Sequence, residues 1–162
     1  SVHEYPSSEQ ISEIAISAAR VVRLFGFDPK VAFVSHSTFG QPVTNRTKHI
    51  KKAVDILKEK NVDFEFDGDM QPDVALNKEY KSLYPFSNIV GNANILIMPG
   101  QHSAAILYKM MKELGDTKVI GPLLIGLGLP IEIAPLRTST SELINLASIA
   151  AYSADVIDYG KN

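Results

Sequence analysis

The sequence predicts an α/β fold in which a mainly parallel sheet is covered by helices on both faces, a three-layer αβα arrangement. Three observations carry this. Apolar residues recur at helical spacing in several segments. Short, nearly continuous apolar runs, residues 30–34 and 95–98 among them, suit strands buried on both faces. The two kinds of segment alternate, so helical crossovers join successive strands.

Taken in order, Ser7 or Ser8 offers a capping oxygen, and Ile11, Ile14, Ala15, Ala18, Val21, Val22 and Phe25 follow at helical spacing until Gly26 ends the helix. Asp28 and Pro29 turn the chain into the strand 30–34. Over 48–60, Ile50, Ala53, Val54 and Leu57 share a face while five lysines lie elsewhere, the pattern of a surface helix. Residues 63–67 alternate Phe64 and Phe66 with acids, the period of a strand.

A short helix is expected over 73–83 and a central strand over 95–98. Residues 103–114 predict a helix with Ala104, Leu107, Met111 and Leu114 apolar and Gly115 at its C-cap. The apolar stretches 119–127 and 131–134 are interrupted by Gly and Pro and read as short strands and turns. Thr140 or Ser141 caps a last helix, 142–154, whose stripe of small and apolar residues suits core packing or close approach to a second helix. No repeat or low-complexity segment appears.

The 162 residues fit one domain able to bury its own core. No apolar run approaches the ~20 residues needed to span a bilayer, and no basic-then-apolar leader is expected. There is no cysteine, hence neither a disulfide framework nor a thiolate metal site, and the cytoplasm is the expected compartment. A net charge of −2 leaves no electrostatic footprint for nucleic acid. One local exception is the basic cluster Arg46, Lys48, His49, Lys51 and Lys52.

Three motifs stand out. Residues 35–40 read SHSTFG at the end of the first strand, 67–76 read DGDMQPDVAL, and 94–99 read NILIMP shortly after Pro85, Phe86 and Ser87. The SHSTFG loop leaves a strand at the usual ligand edge of a parallel sheet, with hydroxyls and a glycine that lets amides approach an anion. It is equally readable as a connector. Asp67, Asp69 and Asp73 suggest a metal loop, but no regular liganding series follows, and no metal site is assigned. His36 lacks a carboxylate partner in sequence and reads as structural or surface.

Together these motifs resemble the phosphotransacetylase family, and within it the C-terminal phosphotransacetylase-like region of the large hybrid bacterial malic enzymes, from about residue 9 to 155. The resemblance implies an isocitrate/isopropylmalate dehydrogenase-like αβα fold. It also implies that residues 1–162 are the C-terminal part of a larger domain, with the malic enzyme's catalytic domains upstream. In active phosphotransacetylases the SHSTFG-equivalent loop usually carries a lysine where Phe39 stands here. A PDLNAGN-like stretch is here Pro99 to Ala105, with His102 in place of the usual Asn. Those enzymes also carry a Ser-Arg-Gly triplet, whose Arg holds the acyl phosphate, and then an Asp that helps to form the CoA thiolate.

An ungapped match puts Pro135, Leu136 and Arg137 on the triplet and Glu142 on the Asp. An apolar Leu136 cannot imitate a guanidinium clamp, and Arg137 is displaced by one residue, which re-aims a side chain. The resemblance therefore implies a regulatory and oligomerising region with no catalytic residue of its own, forming a homo-oligomer. The implied effector is acetyl-CoA or a related CoA ester, with Ser37, Thr38, Asn45, Arg46, Arg137 and Ser139 as candidate contacts. The full-length enzyme would convert malate to pyruvate and CO2, with NADP and Mg or Mn bound upstream. The alternatives are an active phosphate acetyltransferase and a ligand-free dimerisation scaffold.

Overall fold

A capping box starts the first helix. Ser7 Oγ accepts the Gln10 N–H at 3.2 Å while the Gln10 side-chain oxygen accepts the Ser7 N–H at 2.8 Å, satisfying two otherwise orphaned donors. The helix, α1, runs Ser8–Leu24, and Gly26, at φ 80°, releases the chain as its sequence position predicts. The computed structural model describes residues 3–115, 118–127 and 129–156. It divides into two compact units, Ser1–Tyr108 and Lys109–Asn162.

In the first unit, β1 (Lys30–Val34) lies between β2 (Glu65–Met70) and β3 (Ile95–Ile97), all parallel. The central strand of this sheet is therefore β1 and not 95–98. Only β1 is bonded on both sides, which matches its nearly complete burial. The second strand begins and ends later than the Phe64/Phe66 alternation suggests, because pairing with β1 extends through Asp67, Gly68 and Met70.

Alternation along β1 sorts the core into two layers. Val31 and Phe33, with Ile95 and Ile97, face Ile11, Ala15 and Ala19 of α1 and Ile50, Ala53, Val54 and Leu57 of α2 (Asn45–Glu59). Ala32 points the other way, into a cluster of Met70, Val74, Ala75, Ile89 and Ala93. Each large side chain buried this way contributes roughly 1.5–3 kcal/mol. The α/β fold with helices on a small parallel sheet is thus the one the alternation predicts.

Two helices differ from expectation. α2 starts three residues earlier than 48, because Thr44 and Thr47 form a second capping box. The helix expected over 73–83 is two pieces, α3 (Pro72–Leu76) and α4 (Lys78–Lys81). Extended Asn77 separates them, its side chain accepting the Glu79 N–H at 2.9 Å; such local bonding competes with a continuous helix. α5 spans Gln101–Leu114, and none of its residues is fully buried.

The described residues of the second unit include α6, Thr140–Val156. The stretches 119–127 and 131–134 are not strands over their described residues. Gly121, Pro122, Gly126 and Pro130 interrupt them, and no described strand pairs with them. Leu146 is the one buried apolar residue among those described in this unit, whereas Ile120, Ile125, Ile131, Ile133, Leu143 and Ile144 are exposed.

Candidate functional site

The loop that leaves β1 is fastened to the end of β2 by one carboxylate. Asp69 is 2% exposed; its Oδ2 accepts the Ser37 hydroxyl and its Oδ1 accepts the Gly40 N–H at 2.9 Å. Its backbone carbonyl accepts the Phe39 N–H at 2.6 Å, and the Thr38 hydroxyl oxygen accepts the Gln71 N–H at 3.2 Å. The Gln71 amide donates to the His36 carbonyl at 2.8 Å. Loop and strand end therefore form one braced edge at the C-terminal side of the parallel sheet, where such sheets bind ligands.

The neighbouring acids also serve the backbone. Asp67 accepts the Gly68 and Asn88 N–H groups at 2.9 and 2.7 Å, and Asp73 accepts the Val74 N–H at 2.9 Å. Among the described residues no group of three His, Asp or Glu side chains is arranged to hold a metal ion.

Beyond the loop, the basic helix α2 divides in two. Lys52 pairs with Glu9 at 3.0 Å, Lys58 with Asp55 at 3.7 Å, and Lys60 with Glu13. Arg46, Lys48 and Lys51 form no ion pair among the described residues, and the first turn of α2 has no acid. Cations at this end are opposed by the helix dipole, by about 0.3–1 kcal/mol each. The first turn is therefore a region of unneutralised positive potential, which attracts anions.

In the second unit a concavity of about 70 Å³ is lined by Lys112, Arg137, Thr138, Glu142 and Asn145 with the apolar Val119, Ile120 and Leu146. Glu142 closes a third capping box. Its Oε2 accepts the Ser139 N–H at 2.7 Å and the Ser139 hydroxyl at 2.8 Å, while its own N–H donates to Ser139 Oγ at 3.3 Å. Oε1 lies 3.3 Å from Lys112 Nζ. Ser139 is thus the cap, in place of the expected Thr140 or Ser141, and the Ser-x-x-Glu spacing was the signal for it.

The Ser139 backbone N–H, then its hydroxyl, then Lys112 hold the Glu142 carboxyl below the usual carboxylate range. A group lowered on folding contributes stability that is present above its unfolded pKa and lost as pH falls through its folded one. The start of α6 is therefore expected to loosen on acidification, and Glu142→Gln to remove that pH dependence. Amide exchange at Leu143 from neutral to acidic pH checks this; identical profiles for the two proteins would refute it.

Residues 1–151 match the phosphate acetyl/butaryl transferase family. The chain belongs to that family. It is 48% identical over 153 residues to an NADP-dependent malic enzyme of Rhizobium meliloti, covering 94% of this chain and 20% of that protein. It is 34% identical to a phosphate acetyltransferase of Clostridium acetobutylicum, covering 94% of this chain and 46% of the relative. Among solved structures, a phosphotransacetylase from Streptococcus pyogenes superposes with a TM-score of 0.89 at 31% identity, over 96% of this chain and 47% of the other. The chain thus spans about a fifth of the malic enzyme and under half of the transferases.

Within this phosphate acetyl/butaryl transferase domain, the six candidate contacts fall into both units. Ser37 is buried, and its hydroxyl is taken by Asp69; Thr38 is half-buried and braces Gln71. Asn45 and Arg46 are exposed in the first turn of α2. In the second unit Arg137 is exposed at the concavity, and Ser139 is engaged in its cap. Leu136 is fully exposed. His36 is exposed, and His102 lies 3.1 Å from Glu4. Sequence reasoning did not find Asp69 as the loop's anchor, nor Lys112 as the partner of Glu142.

Proposed function

We propose that the chain is the regulatory and oligomerising part of an NADP-dependent malic enzyme and responds to acetyl-CoA without turning it over. Residues 136–142 carry the reading. Where the resemblance expects a phosphate-clamping arginine there is an exposed leucine, and where it expects an acid that helps to form the CoA thiolate there is a glutamate spent on a helix cap and on Lys112. The higher identity to the malic enzyme than to the transferase supports the same choice.

In this proposal the first-unit cations Arg46, Lys48 and Lys51, which form no ion pair among the described residues, attract the phosphates of the CoA ester. The exposed apolar side chains of the second unit are covered in a homo-oligomer, as extended apolar exposure demands. The complete domain takes the isocitrate dehydrogenase-like fold, and the enzyme works in the cytoplasm. Oxidation of malate, with NADP and a divalent metal, belongs to the part of the protein outside this chain. Regulation requires acetyl-CoA to bind two arrangements of the enzyme unequally.

Calorimetric titration of acetyl-CoA into the full-length enzyme tests this. Binding is expected, weakened about tenfold in Arg46→Ala because a charge-assisted contact is lost. No acetyl phosphate should form when phosphate is added. Acetyl phosphate production would favour the active transferase to which the 34% identity points. No binding at all would leave a scaffold for oligomerisation.

A further inference from the structure

Three aromatic side chains, Phe39, Tyr84 and Phe86, stand together at the braced edge. Phe39 adopts φ 50°, an uncommon conformation for a bulky residue, and the bonds from its own N–H and that of Gly40 to Asp69 hold it there. Its ring packs at a tilt on Tyr84, 5.4 Å between centroids, and edge-to-face on Phe86 at 4.8 Å. Tyr84 meets Phe86 edge-on at 6.1 Å. Phe39 and Tyr84 rest on the second core cluster, whereas Phe86 is 64% exposed.

We propose that the Phe39–Phe86 pair is the seat of a planar heteroaromatic base carried by a phosphate-bearing ligand. The proposal deepens the effector reading above and names the group of a CoA ester that this edge recognises. A ring held edge-on by two neighbours keeps a face open for stacking, and it is oriented before a ligand arrives, so little side-chain freedom is lost on binding. The loop carrying Phe39 continues through Gly40 and Thr44 directly into the first turn of α2, where Arg46 and Lys48 form no ion pair among the described residues. An aromatic seat followed on the same loop by unneutralised cations suits a ligand with a π-face and phosphates. A neutral apolar partner would leave those charges unmatched.

Base-on-aromatic stacking of this kind is lost on truncation by about tenfold in affinity. The test uses the full-length enzyme, wild type, Phe86→Leu and Phe86→Trp, titrated with acetyl-CoA, with adenosine 3′,5′-bisphosphate, and with acetyl-phosphopantetheine, which lacks the base. Phe86 is mostly exposed, so melting temperatures should agree among the three. The expected result is weaker binding of the two adenine compounds to Phe86→Leu by about tenfold, recovery in Phe86→Trp, and no change for acetyl-phosphopantetheine.

Acetyl-CoA binding that is equal in wild type and Phe86→Leu would overturn the seat and leave the effector reading standing. Adenosine bisphosphate binding that depends on Phe86, with no acetyl-CoA effect on malate oxidation, would support the seat and sink the effector reading. No binding of either adenine compound to the wild type would overturn the seat. So would a sedimentation change in Phe86→Leu with nucleotide binding intact, since the rings would then belong to subunit packing.

Discussion

Replacing Gly68 with alanine is expected to destabilise the first unit by about 4 kcal/mol, the sum of backbone strain and overpacking at one position. Gly68 pairs with Phe33 of the central strand at φ 151°, and a Cβ there would stand 2.7 Å from Phe33 Cβ and 2.8 Å from the Phe33 carbonyl oxygen. Neither atom can retreat easily, because Phe33 is fully buried between α1 and α2. Set against a total stability of about 5–15 kcal/mol, the variant should lose most of its folded population at modest denaturant. Urea unfolding followed by circular dichroism reads the effect; an unchanged midpoint would mean that β1 and β2 are not in this register.

Asp69→Ala should cost nearly as much, about 3 kcal/mol, by a different route. It leaves the buried Ser37 hydroxyl and the Gly40 N–H without their acceptor, and unsatisfied buried donors each cost about 1–3 kcal/mol. Asp69→Asn should cost less, since one oxygen can still accept while the amide nitrogen opposes the second donor. The loss should be local as well as global. Hydrogen exchange at Phe39 and Gly40 should accelerate in Asp69→Ala more than exchange in α1 does, and equal protection in both proteins would refute the bracing role. Because Phe39 is held through the same residue, the variant should also weaken acetyl-CoA binding if the proposed effector site lies at this edge.

How legible this was depends on the distance over which each feature is made. The start of α1 could be read because a cap joins residues three apart, and Ser7 with Gln10 carries it in plain sequence. The two-layer core could be read because the nearly continuous apolar run 30–34 marks a strand buried on both faces. Residues 119–134 misled because an apolar run states only that a segment seeks burial. Whether it becomes a strand depends on a partner for its N–H and C=O groups, and the described strands pair only with one another. The break at Asn77 was missed for a smaller reason: a side chain that caps Glu79 outcompetes a weak helical continuation.

By itself, then, the sequence determined the α/β class, the parallel sheet, the start of α1 and the family, all of which rest on periodicity, caps and motifs written within a few consecutive residues. Only the tertiary structure decided what the polar residues do. Asp69 becomes the anchor of Ser37 from 32 positions away, and Glu142 meets Lys112 from 30. Phe39 finds Phe86 only because the chain returns to the same sheet edge. A carboxylate, a hydroxyl or a ring has no assigned role until a distant segment brings it a partner, and which partner arrives is set by strand register and crossover packing.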